Sequence, residues 1–254
     1  MAQRLNPGER YPSMIVDLIA YTVLVPDAIR RMGYDFHPPG TVTPGDELAE
    51  IAGRECYQAW LRKNPATATN YGYLNNILDK GHESILEHAN YTFSIRGVSR
   101  SLTHELIRHR HFSYSMLSQR YVDESNGGYV LPPAIVDMDK ETLELLLLDA
   151  HQEALNLYER VTNDLTEAGV PRKRARQAAR YVLPNGHQTR LVVTGNVRAW
   201  REFVGKRAAL HPESGEPLAD LEIYDLATKI LRWLQEMVPN SVQDITDKEP
   251  TAAA

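Results

Sequence analysis

The stretch YTFSIRGV (91–98) alternates apolar and polar residues with the two-residue period of a strand, and Ser99 directly after it can cap a helix over SRSLTHELIRHR. TRLVVTGN (189–196) reads as another strand, followed by a helix over RAWREFVGKRAAL. MIVDLIAYTVLV (14–25), rich in β-branched residues, predicts a buried strand. Helices are expected over LAEIAGRECYQAWL with Asp46 as N-cap, over Thr69 to Asp79 with a stop near Gly81, and over 139–169 with a stop at Gly169 before Pro171. Two more are expected over RKRARQAARYVL (172–183), stopped before Pro184, and over 218–238. The four consecutive leucines from Leu145 to Leu148 are expected in the core or at a subunit contact. HPPGTVTPGDE (37–47) and SNGGYVLPP (125–133) read as a loop and a turn leading into an extended piece. Strands and helices mix without a regular βαβ rhythm, which favours α+β over a doubly wound sheet. With no repeat and no long linker, one domain is expected over 14–246, with a flexible start (1–13) and a disordered tail (247–254).

Composition narrows the function. A net charge of −5 argues against a chain that coats nucleic acid or anionic lipid, so any anion site must be local. No run approaches the ~20 apolar residues of a membrane span, and the first residues carry no apolar signal core. Cys56 is the single cysteine, which excludes intrachain disulfides and cysteine-rich zinc sites and fits a reducing cytoplasm. No GxGxxG or GxxxxGK[ST] loop is present.

Against that acidic background, RHRHFSYSMLSQR (108–120) concentrates cations and hydroxyls. Arg100, His104 and Arg108 recur at i, i+4 and i+8, with Glu105 beside them. Ser113, Ser115 and Ser118 lead into Gln119, Arg120 and Tyr121, a run able to offer hydroxyls, backbone N–H groups and a guanidinium to a phosphate. Lys173, Arg176 or Gln177, and Arg180 form a second basic stripe, and Asn196, Arg198 and Arg207 a third. Taken alone, those two stripes read as solvated faces. In GHESILEH (81–88), His82, Ser84, Glu87 and His88 could ligate a metal, but adjacent Glu87 and His88 diverge by about 100° on a helix and no HExxH spacing exists. A hydrogen-bonding role is expected there, and no metal.

The pattern RHRx7S, here Arg108-His109-Arg110 followed by Ser118, resembles the signature of flavin-dependent thymidylate synthases. GRECYQAW, GHESILEH, THELIRHRHFSYS, LSQRY, ARQAARYVLP, VVTGNVRAWREF and KRAALH resemble the blocks of that family in the same order, with detail similar to actinobacterial members. The resemblance implies an antiparallel twisted sheet with flanking helices, assembled as a homotetramer with shared active sites. It implies reductive methylation of dUMP to dTMP, with methylenetetrahydrofolate as carbon donor and NADPH reducing a bound FAD. Carried over by position, Glu105, Leu106, Ile107, Arg108, Met116, Leu117, Ser118, Gln119, Arg120, Arg180 and Arg207 would hold dUMP. Ser84, Arg108, His109, Arg110, Met116, Asn196, Val197, Arg198 and Glu202 would contact FAD, and His82 would lie near the flavin ring and folate. Tyr57, Arg100, Lys173 and Arg176 would border these ligands. Arg207 matches the catalytic arginine, which stabilises negative charge on uracil where the other synthase class uses a thiolate. Cys56 would then be a packing residue.

Three positions depart from the family pattern. Met116 stands where Glu or Gln is usual, Glu202 where Asn or His is usual, and HPESGEP (211–217) resembles an insertion. A carboxylate at 202 would repel phosphate unless Arg198 or Arg201 paired it. The competing readings are a flavin-binding paralogue without methylation activity and an RNA-binding module, the latter disfavoured by a pI near 6.0 and no aromatic stacking platform.

Overall fold

The computed structural model describes residues 14–60, 64–137 and 140–245, so the expected flexible start and tail lie outside the described residues. Strands β1 (Ile15–Tyr21), β2 (Asn90–Ser99), β3 (Ser113–Met116) and β4 (Gln188–Asn196) form an antiparallel sheet in the order β1-β2-β4-β3. Around it lie α1 (Pro26–Arg31), α2 (Pro44–Tyr57), α3 (Asn70–Asp79), α4 (Arg100–Leu106), α5 (Pro133–Asp137), α6 (Glu141–Glu167), α7 (Arg172–Ala179), α8 (Val197–Arg207) and α9 (Leu221–Met237). The architecture is α+β. No helix among the described residues is long and apolar enough to cross a membrane.

Register decides which strand residues face the helices. Phe93 pairs with Val193 and Ile95 with Leu191 in β2 and β4, while Tyr114 of β3 also pairs with Val193. Side chains directly opposite one another share a face, so these residues form one apolar surface, and the alternate set (Thr92, Ser94, Ser115, Thr194) forms the other. Onto the apolar surface α8 packs Trp200 and Phe203, and α9 packs Ile223, Leu226, Ile230 and Leu234, all fully buried. That spacing along α9 is the single apolar stripe of an amphipathic helix. Gly195 admits this packing, because a Cβ there would lie 2.3 Å from the Phe112 ring.

Several boundaries differ from the sequence reading. The first strand stops at Tyr21 and is an edge strand: Val16 and Leu18 pack on the core, whereas Ile15, Ile19 and Tyr21 are exposed. The N-cap of α2 is Thr43, whose hydroxyl accepts from the Asp46 N–H. Asp46 is instead fully buried and accepts from the N–H groups of Asn240 (2.9 Å) and Ser241 (2.9 Å), tying α2 to the segment after α9. Helix α4 begins after the expected Ser99 cap but ends at Leu106, where the Tyr114 hydroxyl donates to the carbonyls of Leu106 (2.6 Å) and His109 (2.8 Å). Helix α6 ends as expected, with Gly169 at φ 85° just beyond it. Its buried positions are Glu144, His151, Leu155, Tyr158 and Thr162, so Leu145 and Leu146 point to solvent, Leu146 being 60 % exposed, while Leu147 and Leu148 are half-buried.

Candidate active site

Helix α8 delivers Arg207 at its last turn to the end of α4, 102 residues earlier in the chain. The Arg207 Nη1 donates to Glu105 Oε2 at 2.7 Å, and its Nε donates to His109 Nε2 at 3.2 Å. His109 stands edge-on to Phe203, with ring centroids 5.1 Å apart. Burial, then the neighbouring Arg207 charge, lowers the His109 pKa, which keeps the imidazole neutral and leaves Nε2 free to accept. Burial raises the Glu105 pKa, and so does the carboxylate of Asp220 against it, while Arg207 opposes both. The guanidinium is thus held in one orientation before any ligand arrives.

Beside this corner lies a cleft of about 660 Å³ lined by Glu83, Glu87, His111, Asn196, Arg198, Arg201 and Glu202. Asn196 caps α8 by accepting from the Ala199 N–H at 2.8 Å, and the Val197 side chain is buried in the core. Arg198 pairs with Glu87 (2.5 Å) and Glu83 (3.6 Å), and Arg201 with Asp244 (2.7 Å). Glu202 is paired by Lys206 at 2.6 Å, not by Arg198 or Arg201, because i,i+4 neighbours meet on one helix face whereas both arginines are already engaged. Ser84 and His82 are exposed on the turn that carries Glu83 and Glu87.

The third group is the segment after β3. Arg100 donates from Nη2 to the Leu117 carbonyl (3.1 Å) and approaches Met116 Sδ with Nη1 (3.4 Å). Arg176 donates to the Tyr121 carbonyl (2.8 Å) and to Asp123 (2.6 Å), and Lys173 to the Tyr121 hydroxyl (2.5 Å). Behind them, buried Glu124 bonds His187 (2.8 Å), which bonds His151 (3.1 Å). Arg100, Lys173 and Arg176 therefore brace the loop. The guanidiniums of Arg108, Arg110, Arg120 and Arg180 have no carboxylate partner among the described residues, and Arg180 faces the positive charge of Arg100. Ser118 and Gln119 are half-buried, and Ile107 is exposed. Leu106 is fully buried, so its side chain cannot line a ligand.

Tyr57 sits exposed at the end of α2, and Cys56 beside it is also exposed, so it is not a packing residue. Among the described residues no hydrogen bond or ion pair joins the Arg207 corner to Ser118, Gln119, Arg120 or Arg180. Asp220, at the start of α9 and against Glu105, was missed by the sequence reading. Its only signal is an acidic residue preceding an apolar helix, which reads as an ordinary cap, yet its side chain makes no cap bond.

Charge decides whether a flavin dinucleotide suits these residues. A pyrophosphate needs unneutralised donors, and Arg108 and Arg110 supply two next to His109, while the acids of the cleft are themselves paired with Arg198 and Lys206. The residues fit the group.

The comparisons with known proteins agree. The family model described as thymidylate synthase complementing protein matches residues 41–240. A flavin-dependent thymidylate synthase of Mycolicibacterium vanbaalenii is 52 % identical over 206 residues, covering 79 % of each chain. A probable flavin-dependent thymidylate synthase of Mycobacterium phage L5 is 46 % identical over 246 residues, covering 92 % of this chain and 98 % of that one. A crystal structure of a UMP/dUMP methylase, PolB from Streptomyces cacaoi, bound with 5-Br UMP, shares the fold, with a TM-score of 0.65 at 20 % identity over 91 % of this chain and 92 % of that one. With its RHRx7S segment, its held Arg207 and relatives of about half-identical sequence, the chain belongs to the flavin-dependent thymidylate synthase family.

Proposed function

We propose that the protein methylates dUMP to dTMP reductively, with methylenetetrahydrofolate as carbon donor, NADPH as reductant and FAD as cofactor. The observation that carries this reading is the Arg207 guanidinium, fixed by Glu105 and by a neutral His109. A positive charge preorganised in this way stabilises an ionised uracil and pushes electron density toward C5, the carbon that must attack. When bound and reduced by NADPH, the flavin would supply the hydride. No cysteine is needed at C6, which agrees with Cys56 lying exposed on α2.

The remaining residues bind and orient. Ser118, Gln119, Arg120 and Arg180 receive the nucleotide phosphate, on a loop stiffened by Arg100 and Arg176. Arg108, His109, Arg110, Asn196 and Arg198, with Ser84 and His82 on the neighbouring turn, receive FAD and the folate. Met116 brings its thioether to Arg100 in place of a polar flavin contact. We place the protein in the cytoplasm as one catalytic domain in a homotetramer. The exposed Leu143, Leu145, Leu146 and Leu157 on α6 support a subunit contact of this kind.

Release of tritium from C5-labelled dUMP, in the presence of NADPH and methylenetetrahydrofolate, tests the reaction. The purified protein is expected to show flavin absorbance that is lost in Arg108→Ala. A colourless protein that takes up no FAD would overturn the reading.

A further inference from the structure

The buried side chains behind the Met116–Glu124 loop have no part in the proposed chemistry. Glu124, His151 and His187 are all buried, and ionisable groups kept from water are costly unless each finds partners. Burial and the neighbouring His187 hold His151 neutral near pH 7. As a carboxylate Glu124 can only accept, so His187 donates to it from Nε2 (2.8 Å). The His187 Nδ1 then accepts from His151 Nε2 (3.1 Å). Each proton in the chain has one place, and neither ring can turn without losing a bond. Packing fixes the rings as well: a Cβ on Gly127 would lie 2.3 Å from the His187 ring, and His151 stands against Tyr129 with ring centroids 5.1 Å apart.

The loop needs such an anchor. It leaves β4 where the Leu117 N–H donates to the Arg190 carbonyl (3.0 Å), and rejoins it where the Gln188 N–H donates to the Gly128 carbonyl (2.8 Å). Between these points it spans a cavity of about 350 Å³ lined by Leu117, Val122, Glu124, Gly127 and Thr189, so side-chain packing does not set its shape from below. Glu124 reaches both ends. Its Oε2 is held by His187 at the far end. At the near end its Oε1 faces Arg100 Nη2 at 4.0 Å, the same nitrogen that donates to the Leu117 carbonyl at 3.1 Å. Among the described residues Glu124 is the one carboxylate that close to Arg100, whereas Arg180 adds a positive charge facing it. Without the carboxylate the two guanidiniums would repel each other unopposed. We infer that Glu124 is a positioning residue for the phosphate of dUMP, joining the two ends of the loop through His187 and Arg100 and so fixing Ser118, Gln119 and Arg120 in place for it. The inference rests on the reading of this loop as the phosphate site. His187 and His151 act one step further back, by holding Glu124 in the orientation that faces Arg100.

Affinities of the FAD-containing protein for dUMP and for deoxyuridine, both followed by the flavin spectrum, test this, because their ratio isolates the phosphate. Glu124→Gln keeps an acceptor for His187 but removes the charge facing Arg100. The ratio is expected to fall about tenfold, the scale of one charge-assisted hydrogen bond, with deoxyuridine binding unchanged. In tritium release KM for dUMP should rise by the same factor while kcat stays within about twofold, a split that general loss of structure would not produce. His187→Gln should lower the ratio about threefold, and the double variant should be no worse than Glu124→Gln, since the two side chains act through one chain. A ratio unchanged in Glu124→Gln, a loss shared equally by deoxyuridine, or full additivity in the double variant overturns the inference. If Glu124→Gln does not retain FAD, His187→Gln decides alone, and an unchanged ratio there counts against Glu124. Arg120→Ala separates the inference from the reading beneath it. A ratio lowered in Arg120→Ala but not in Glu124→Gln removes only the role of Glu124. A ratio lowered in neither places the phosphate elsewhere and removes both.

Discussion

The Arg207 corner and the loop from Met116 to Glu124 are both built around arginine, but they use it in opposite ways. In the corner the arginine meant for the substrate already has its partners, Glu105 and His109. Around the loop the partnered arginines, Arg100 and Arg176, hold backbone, and those left for the ligand, Arg120 and Arg180, have no carboxylate partner among the described residues. A group that acts on a developing charge gains from being fixed beforehand, since it then needs no reorganisation during reaction. A group that binds a phosphate gains from being uncompensated, since the incoming anion then meets its full charge. Between these two regions, arginine with a partner marks catalysis or bracing and arginine without one marks binding, whereas Arg198, assigned to FAD, already has Glu87 as its partner.

The largest expected effect tests the catalytic half. Arg207→Ala should lower kcat for tritium release by roughly 10²–10³-fold, while dUMP binding, followed by the flavin spectrum, changes far less. Equal losses in both would erase the contrast between the two regions. Next, Arg120→Ala and Arg180→Ala each remove a charge-assisted bond worth about 1.5–3 kcal/mol, so KM for dUMP should rise ~10–100-fold. If kcat fell instead, those arginines would belong with Arg207.

A third measurement examines the anchor behind the loop. Burial and the adjacent His187 push the His151 pKa down to about 4. The unfolded chain, with an ordinary imidazole near ~6.5, takes up this proton first, so stability falls as pH drops from about 6.5 toward 4, by at most roughly 3 kcal/mol. Chemical denaturation at pH 7 and pH 4.5 should show a larger loss in the wild type than in His151→Gln, and equal losses would remove His151 from the anchor. The smallest effect is at Glu202→Gln. The Lys206 pair it breaks is exposed, so stability should change by less than about 1 kcal/mol. Titration with FAD should show binding tightened about threefold, as one carboxylate leaves the cleft; weaker binding would mean that Glu202 serves the flavin.

The regular elements were largely legible because their causes are local. Ser99 and Thr69 cap where a hydroxyl precedes a helical period, and Gly169 stops α6 with a positive φ. Strand β3 was not legible: SYSM has a weak pattern of its own and becomes a strand because β4 offers it a ladder about 80 residues later. The exposure of Leu145 and Leu146 was not legible either, since a leucine run states that a surface is apolar and not which partner covers it. Glu202 was expected to find a guanidinium and found Lys206 instead, since Arg198, equally one helical turn away, is held by Glu87.

The sequence by itself determined the family, most of the longer strands and helices, and the cations available for phosphate, because periods, caps and the RHRx7S segment are properties of neighbouring residues. The tertiary structure alone decided which arginines are held and which are left open, and it alone brought Asp220 to Glu105. Those contacts join residues about 100 positions apart, and only the packing of α4, α8 and α9 on one sheet brings them within a hydrogen bond.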